Sequence, residues 1–304
     1  MALFQRDSTL AATLTNSQRA KGCVPYDPNA IAPTYGYDPL LSAGIVFTVV
    51  FFLSCTVHTV QVFRSRKWWF SVFALGAAGE CIGWAGRAAA HHCPYNKTLF
   101  SLQISILIIC PCFFSAGIYY ILGRMINKYG RQYSLISSSM YLKIFITFDV
   151  VSIIIQAIGG GMASAAGGKD PPGNTKPGTR IMMTGIIIQL VSMCVFGLLW
   201  LTFLWRARRL RYAKSLVWAT TYSAFCIIVR NFYRAIELSQ GWKGYLIIHE
   251  IYFAVLDGAL MAMAVVVFNV FFPARHLSAE GDGEGRTKET SMVVSTEALE
   301  GKSS

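Results

Sequence analysis

Charged residues are scarce in this sequence. Asp, Glu, Lys and Arg make up only 14% of its 304 residues, whereas 54% of the residues are hydrophobic. A soluble domain of this length carries more charge and less apolar surface than that. The composition therefore excludes an ordinary soluble protein and indicates an integral membrane protein.

Several motifs of catalytic and cofactor-binding proteins are missing as well. The chain has no Gly-x-x-x-x-Gly-Lys-[Ser/Thr] motif, so we do not expect it to hydrolyse ATP. Its eight cysteines include no Cys-x-x-Cys pair, and we expect neither a metal site nor a cofactor. The formal net charge of +12 comes from short basic runs between apolar stretches, a placement that indicates membrane topology and no binding of nucleic acid.

The chain contains seven apolar stretches that are long enough to cross the hydrocarbon core of a bilayer as α-helices. They fall at residues 40–63, 68–90, 99–123, 141–163, 181–204, 216–238 and 246–271. The sequence thus predicts an all-α fold, a bundle of seven transmembrane helices within residues 38–273. Residues 1–37 form an N-terminal tail in this prediction, and residues 274–304, which are polar and rich in Ser, Thr and Glu, form a disordered C-terminal tail.

Basic residues are distributed unevenly among the connectors. They are abundant after the first, third and fifth stretches and sparse in the connectors between these. Lys and Arg concentrate in cytosolic loops, so this pattern places the N-terminus outside and the C-terminus in the cytosol. Residues 1–35 contain no apolar core of the length that a signal peptide needs, and the first span must therefore translocate this tail.

Two features lie on the side that this topology places outside. Asn96-Lys97-Thr98 is an N-glycosylation sequon, and the sequence leaves open whether Asn96 carries a glycan. Cys23 and Cys93 are outside as well, and because an oxidising lumen permits disulfides, we predict a bond between them. The alternative is two free thiols.

Nine polar residues within the predicted spans require an explanation, because a charged side chain at mid-bilayer costs about 2.5–3.5 kcal/mol. They are Glu80, Arg87, Asp149, Gln156, Arg230, Arg234, Glu237, Glu250 and Asp257. In each of four spans, two of them are seven residues apart, a spacing that returns to the same helix face after two turns.

Exposing a polar helix face, or polar stripe, to lipid would cost much free energy. We therefore expect the four stripes to face one another or a shared aqueous cavity. Their depth places Glu80 and Asp257 near the middle of the bilayer and Asp149 in its inner half, so we expect a cavity that opens toward the outer leaflet or the lumen and tapers to a carboxylate floor. The alternative is a buried network of ion pairs that only holds the helices together.

The same residues carry a resemblance to a known family over about residues 35–273. The sequence Glu80-Cys81-Ile82-Gly83-Trp84-Ala85-Gly86-Arg87, the stretch Gln156 to Gly161 and the stretch Arg230 to Glu237 resemble motifs of the fungal lipid-translocating exporter family, which is also called resistance-to-aminocholesterol-like. This family includes a sphingoid long-chain base exporter. One departure is Phe272-Pro273-Ala274, where family members often have His-Pro-Gly.

The resemblance implies a multi-pass protein of the plasma membrane or the endomembranes that moves amphipathic lipids and confers resistance to membrane-active compounds. Sphingoid long-chain bases and sterol-like compounds are the substrates it implies, with the nine polar residues as candidate substrate-binding groups. One branch of the family looks devoted to porphyrin or haem transport. Besides its substrate, we expect the chain to contact the surrounding membrane lipids.

Two other functions fit parts of the pattern. A seven-helix sensor of lipid stress would share the external N-terminus and the Ser/Thr-rich tail, although the third span ends in Leu122-Gly123-Arg124 where receptors often have Asp-Arg-Tyr. An intramembrane enzyme would need a nucleophile or a histidine-rich metal cluster, and the few histidines in the apolar stretches make a poor site, so we expect no enzyme. The sequence leaves the substrate, the direction of transport and the oligomeric state open.

Overall fold

The structure is a computed structural model that describes residues 23, 35, 37–167, 173–210, 213–241 and 244–273. Within these ranges the protein is all-helical. Its seven long helices are α1 (Leu41–Ser65), α2 (Ser71–His92), α3 (Lys97–Tyr129), α4 (Ser138–Gly167), α5 (Lys176–Ala207), α6 (Lys214–Ser239) and α7 (Glu250–Val270). Each coincides with one of the predicted apolar stretches. Most of the predicted tails, residues 1–37 and 274–304, lies outside the described residues.

Helix α7 is the irregular member of the bundle. A short helical turn, Tyr245–Ile248, precedes it and ends at His249, which has an extended backbone. Helix α7 then begins with an α-helical turn at Glu250–Phe253, continues as a π-helix over Ala254–Ala259 and ends as an α-helix at Leu260–Val270. Single-turn π segments of this kind occur frequently at functional sites.

Five of the helices, α1, α3, α4, α5 and α7, are long and apolar enough to cross a membrane. The prediction of an integral, multi-pass membrane protein is confirmed. Helices α2 and α6 have 22 and 26 residues and are less apolar, because they hold several of the buried charged side chains. The count of seven spans stays a prediction.

Neighbours in sequence are neighbours in the bundle. Each helix from α1 to α6 packs against the next one, and α7 packs against both α6 and α1, while α3 also contacts α6. Helix α4 has substantial contacts only with α3 and α5 among the described helices. This arrangement groups α2, α3, α6 and α7 on one side and leaves α4 apart from α2 and α7.

Glycines allow the closest helix pair, α4 and α5, to approach each other. A Cβ atom at Gly159 of α4 would lie 2.6 Å from the carbonyl oxygen of Gly178 in α5, and one at Gly178 would lie 2.5 Å from the amide nitrogen of Ala163. Small residues at such positions let the backbones of membrane helices touch. The backbones of α4 and α5 are therefore in direct contact along this stretch.

We expect Gly159→Ala to destabilise the protein, because the added methyl group meets backbone atoms that cannot move aside. Overpacking of this kind costs about 1–3 kcal/mol. Gly161→Ala, two residues along the same helix, is the matched control, since a Cβ atom there meets nothing within 4 Å. Thermal unfolding of the purified variants in detergent measures the difference. Equal midpoints for the two variants would contradict the close approach of α4 and α5.

Candidate functional site

A cleft opens at one end of the bundle, where α2 and α6 end and α3, α5 and α7 begin. It has an empty volume of about 700 Å³, part of which is open to solvent. Its lining comprises Tyr35, Tyr37, Arg87, Phe100, Gln103, Ile104, Met182, Ile186, Arg234, Glu237, Leu238, Ile247 and Phe253. The cleft is thus built from five helices, the turn before α7 and the segment that precedes α1.

An arginine near the end of α2 forms the first part of the charged side of the cleft. The guanidinium of Arg87 donates two hydrogen bonds to one carboxylate oxygen of Glu250, of 3.0 and 2.9 Å, and the other oxygen of Glu250 accepts from the backbone N–H of Leu40. The Arg87 guanidinium also lies 4.6 Å from the ring centroid of Phe253 and donates to the Tyr37 hydroxyl. Pairing and aromatic contact compensate the burial of this charge.

A second ion pair, within α6, forms the other part of the charged side. Arg234 donates to Glu237 at 2.7 Å, and the other carboxylate oxygen of Glu237 accepts from the Tyr233 hydroxyl at 2.9 Å. The Nε atom of Arg234 lies 3.8 Å from Asp257 of α7, so this arginine lies between two carboxylates. Arg234 and Glu237 both line the cleft and are almost fully buried.

Apolar side chains complete the lining of the cleft. They are Ile104 of α3, Met182 and Ile186 of α5 and Leu238 of α6, and these belong to one small hydrophobic cluster. The lining therefore combines charged groups with a cluster of aliphatic groups. An amphipathic molecule combines the same two kinds of surface.

The segment before α1 closes one side of the cleft. The Tyr35 hydroxyl donates to the side chain of Gln103 in α3 at 2.6 Å, and Tyr37 accepts from Arg87. Burial raises the pKa of both tyrosines above its usual range, so both hydroxyls stay protonated near neutral pH. Farther back in the chain, Cys23 is joined to Cys93 at the end of α2 by a disulfide.

A deeper polar layer lies beneath the charged side. Arg230 of α6 places its Nε atom 2.7 Å from Asp257, which lies in the π segment of α7. Its Nη2 atom donates to the carbonyl oxygen of Leu107 in α3 at 2.8 Å. Pro111 stands four residues after Leu107 and has no N–H, so this carbonyl lacks its helical donor. Arg230 supplies the missing donor and joins α3, α6 and α7.

Glu80 of α2 lies in the same layer. It is fully buried, and Asp257, Arg230 and Arg234 are the charged groups in its surroundings. Both of its carboxylate oxygens lack a well-aligned hydrogen bond from the described residues, as does the indole N–H of Trp84 beside it. Glu80 and Asp257 thus lie below the cleft, and neither lines it.

The expectation that all four polar stripes share one cavity is wrong for α4. Gln156 donates to Gln189 of α5, which in turn donates to the sulfur of Cys112 in α3. Asp149 lies beside Tyr119 of α3 and is buried there. The physical reason is that α4 packs only on α3 and α5, so its polar face meets different partners.

The nine candidate residues therefore fall into three places. Those that line the cleft are Arg87, Arg234 and Glu237, and those that lie behind or beneath it are Glu80, Arg230, Glu250 and Asp257. Those at the separate interface are Asp149 and Gln156. The sequence predicts one wet cavity lined by all nine residues. The structure instead has a cleft that is lined by three of the nine.

Sequence reasoning missed several groups of this site. Tyr35 and Gln103 lie outside the polar stripes and give no signal. Phe253 lies between Glu250 and Asp257 in the sequence, but an apolar residue in an apolar stretch gives no signal either. The carbonyl of Leu107 could have been found, since a proline inside an apolar stretch always frees the carbonyl four residues before it. The predicted glycosylation residue, Asn96, caps α3 by accepting from the N–H groups of Thr98 and Leu99.

Comparison with known proteins identifies the family of this chain. Residues 73–280 match the family described as RTA1 like protein. The sphingoid long-chain base transporter RSB1 of Saccharomyces cerevisiae is 33% identical in an alignment of length 280, which covers 78% of this chain and 72% of the relative. No solved structure matches the chain significantly.

Two further relatives from Saccharomyces cerevisiae have similar coverage. Protoporphyrin uptake protein 1 is 28% identical in an alignment of length 280, which covers 78% of this chain and 90% of the relative. Protein RTA1 is 27% identical in an alignment of length 273, which covers 79% of this chain and 84% of the relative. The chain, with its helical membrane bundle and its charged cleft, belongs to the RTA1-like family of fungal membrane transporters.

Proposed function

We propose that this protein translocates amphipathic lipids, with sphingoid long-chain bases or sterol-like compounds as substrates, and that it thereby confers resistance to membrane-active compounds. The observation that carries the proposal is the mixed lining of the cleft, in which Arg87, Arg234 and Glu237 occur together with Ile104 and Ile186. The relative named as a sphingoid long-chain base transporter supports this substrate class.

The cleft suits a molecule with a polar head and an aliphatic tail. An ammonium head would pair with Glu237, whose carboxylate faces the cleft, and hydroxyl groups would bond to Gln103 or Tyr37. The tail would lie along Ile104 and Ile186 and extend toward the lipid. A dry, apolar wall of this kind supplies about 25 cal/mol for each Å² of tail surface buried.

Porphyrin transport is the second candidate. The relative named as a protoporphyrin uptake protein aligns over the same span of the chain. Arg87 and Arg234 on the cleft wall would bind the carboxylates of a porphyrin, since arginine pairs well with that group. We assign no catalytic step to the protein, and among the described residues no group of three His, Cys, Asp or Glu side chains is placed to hold a metal.

The topology belongs to the same proposal. All seven helices cross the membrane, the N-terminus and the cleft face outward, and the C-terminus lies in the cytosol. Helices α2 and α6 qualify as spans because their charged groups point into the bundle, where Glu80, Arg87 and Arg230 are at most 3% exposed. The positive-inside distribution of Lys and Arg supports this orientation.

Glycosylation at Asn96 tests the orientation. Thr98→Ala removes the sequon and leaves the Asn96 side chain as the cap of α3, so helix stability should change little. We expect the wild-type protein to lose apparent mass on treatment with an endoglycosidase, and the variant to migrate at the deglycosylated position without treatment. A sequon transplanted into the loop after α3, at residues 130–137, is the control and should stay unmodified. Modification of that loop alone would reverse the proposed orientation.

Filling the cleft tests the transport proposal. Ile104→Trp places an indole in the cleft without removing a charge, so it should slow the movement of a labelled sphingoid base between leaflets of proteoliposomes. We expect a loss of about tenfold, which corresponds to about 1.4 kcal/mol in the barrier. Leu102→Trp is the matched control, because Leu102 lies on the same helix and is 48% exposed on the outer surface of the bundle.

The assay also includes vesicles without protein. Flip rates of the wild-type protein no greater than in those vesicles would defeat the proposal. Equal losses in Ile104→Trp and Leu102→Trp would show that the cleft is not the route. The same assay with protoporphyrin in place of the sphingoid base decides between the two candidate substrates, because it compares the rates at which the protein moves the two molecules.

A further inference from the structure

The buried charges around the cleft do not balance. Three arginines, Arg87, Arg230 and Arg234, lie within ion-pair distance of Glu250, Asp257 and Glu237 respectively. Glu80, the fourth carboxyl group of this layer, has no such partner among the described side chains, although it is fully buried. Four carboxyl groups thus share three guanidinium groups.

The surroundings of Glu80 compensate for its burial only in part. The groups that face it from the packed helices are Arg230 and Arg234 of α6, Asp257 of α7, Cys110 of α3, Trp84 of α2 and, beyond Trp84, Phe47 of α1. Both arginines are already engaged by other carboxylates, and Asp257 adds a like charge. Neither oxygen of Glu80 accepts a well-aligned hydrogen bond from these groups.

An isolated carboxylate in such a place is very costly, and a buried group of this kind is neutralised by taking up a proton. We infer that Glu80 carries an exchangeable proton and that the protein moves cationic amphipaths in exchange for protons. The inference rests on the proposed transport function and adds its driving force. In each cycle Glu80 takes up a proton from water on one side of the membrane, and its O–H bond breaks to release that proton to water on the other side. One positive head group moves in the opposite direction, so that no net charge crosses the membrane.

A chain of charged groups leads from the cleft to Asp257 and Arg230, two of the charged groups in the surroundings of Glu80. Glu237 on the cleft wall holds Arg234, Arg234 lies 3.8 Å from Asp257, and Asp257 holds Arg230. A cationic head group that pairs with Glu237 weakens the ion pair between Glu237 and Arg234. The guanidinium of Arg234 is then free to stabilise the negative charge of the Glu80 carboxylate deeper in the layer. Occupancy of the cleft and release of the proton from Glu80 are thereby linked.

The test uses the full-length protein in liposomes with an imposed difference of one pH unit across the membrane. The probe is labelled N,N,N-trimethylsphingosine, whose fixed positive charge prevents it from crossing as a neutral amine or carrying a proton itself. We expect the wild-type protein to concentrate the probe about tenfold on the acidic side, the ratio that one-for-one exchange with protons sets for one pH unit. N-acetylsphingosine, which has no charge, should distribute independently of the gradient.

Substitution at Glu80 gives the second readout. Glu80→Gln cannot exchange a proton and should lose the gradient-driven accumulation, whereas Glu80→Asp keeps a carboxyl group and should retain part of it. Size-exclusion chromatography checks that both variants fold. Should Glu80→Gln fail to fold, the response of the wild-type protein to the gradient decides whether protons are exchanged, and Glu80→Asp tests the residue. Accumulation by Glu80→Asp equal to that of the wild-type protein would then overturn the role of Glu80.

Different results would contradict the transport function and the exchange of protons through Glu80. Movement of the probe by the wild-type protein with a distribution that ignores the pH gradient would overturn proton exchange and leave the transport function standing. Gradient-driven accumulation by a folded Glu80→Gln variant would overturn the role of Glu80. Movement of neither probe beyond that in protein-free vesicles would overturn the transport function and the inference together.

Discussion

The cost of placing charge inside a membrane bundle is the constraint on which this structure depends. Each of the three buried arginines around the cleft is neutralised by a carboxylate, in two cases from a different helix, so the charges that stabilise the bundle also determine which helices meet. Helix α7 supplies two of these carboxylates, Glu250 to α2 and Asp257 to α6. Truncating either would leave a buried guanidinium without its partner, which is far more costly than the loss of a surface ion pair.

Two local irregularities allow this pairing. The π segment of α7 contains Asp257, and Pro111 in α3 frees the carbonyl of Leu107, so the guanidinium of Arg230 finds a charge on one helix and a backbone acceptor on another. In a regular helix the Leu107 carbonyl would be occupied by its own helix. Deviations from helical geometry thus create the polar partners that regular membrane helices lack. The cleft lies directly above this layer, and its charged side continues into it through Arg234.

The sequence predicts the seven helices and most of the charged layer, but not the full set of neighbours. Long apolar stretches and the cost of intramembrane charge pointed to all the helices and to Arg87, Arg230, Glu250 and Asp257 as inward-facing groups. A spacing of seven residues identifies a helix face without identifying the helix that it meets, and for this reason Asp149 and Gln156 were assigned to the wrong group. The contribution of Tyr35 and Tyr37 depends on a tertiary contact of a polar segment with Gln103 and Arg87, which leaves no periodic pattern in the sequence.

We propose that compensated charges hold open a cleft for the polar head of a lipid. The decisive measurement is a cryo-EM map of the protein in lipid nanodiscs with a bound sphingoid base. We expect density for the head within hydrogen-bonding distance of Arg234 or Glu237, and density for the chain along Ile104 and Ile186. A base bound only on the lipid-facing surface, with the cleft closed around its ion pairs, would contradict it.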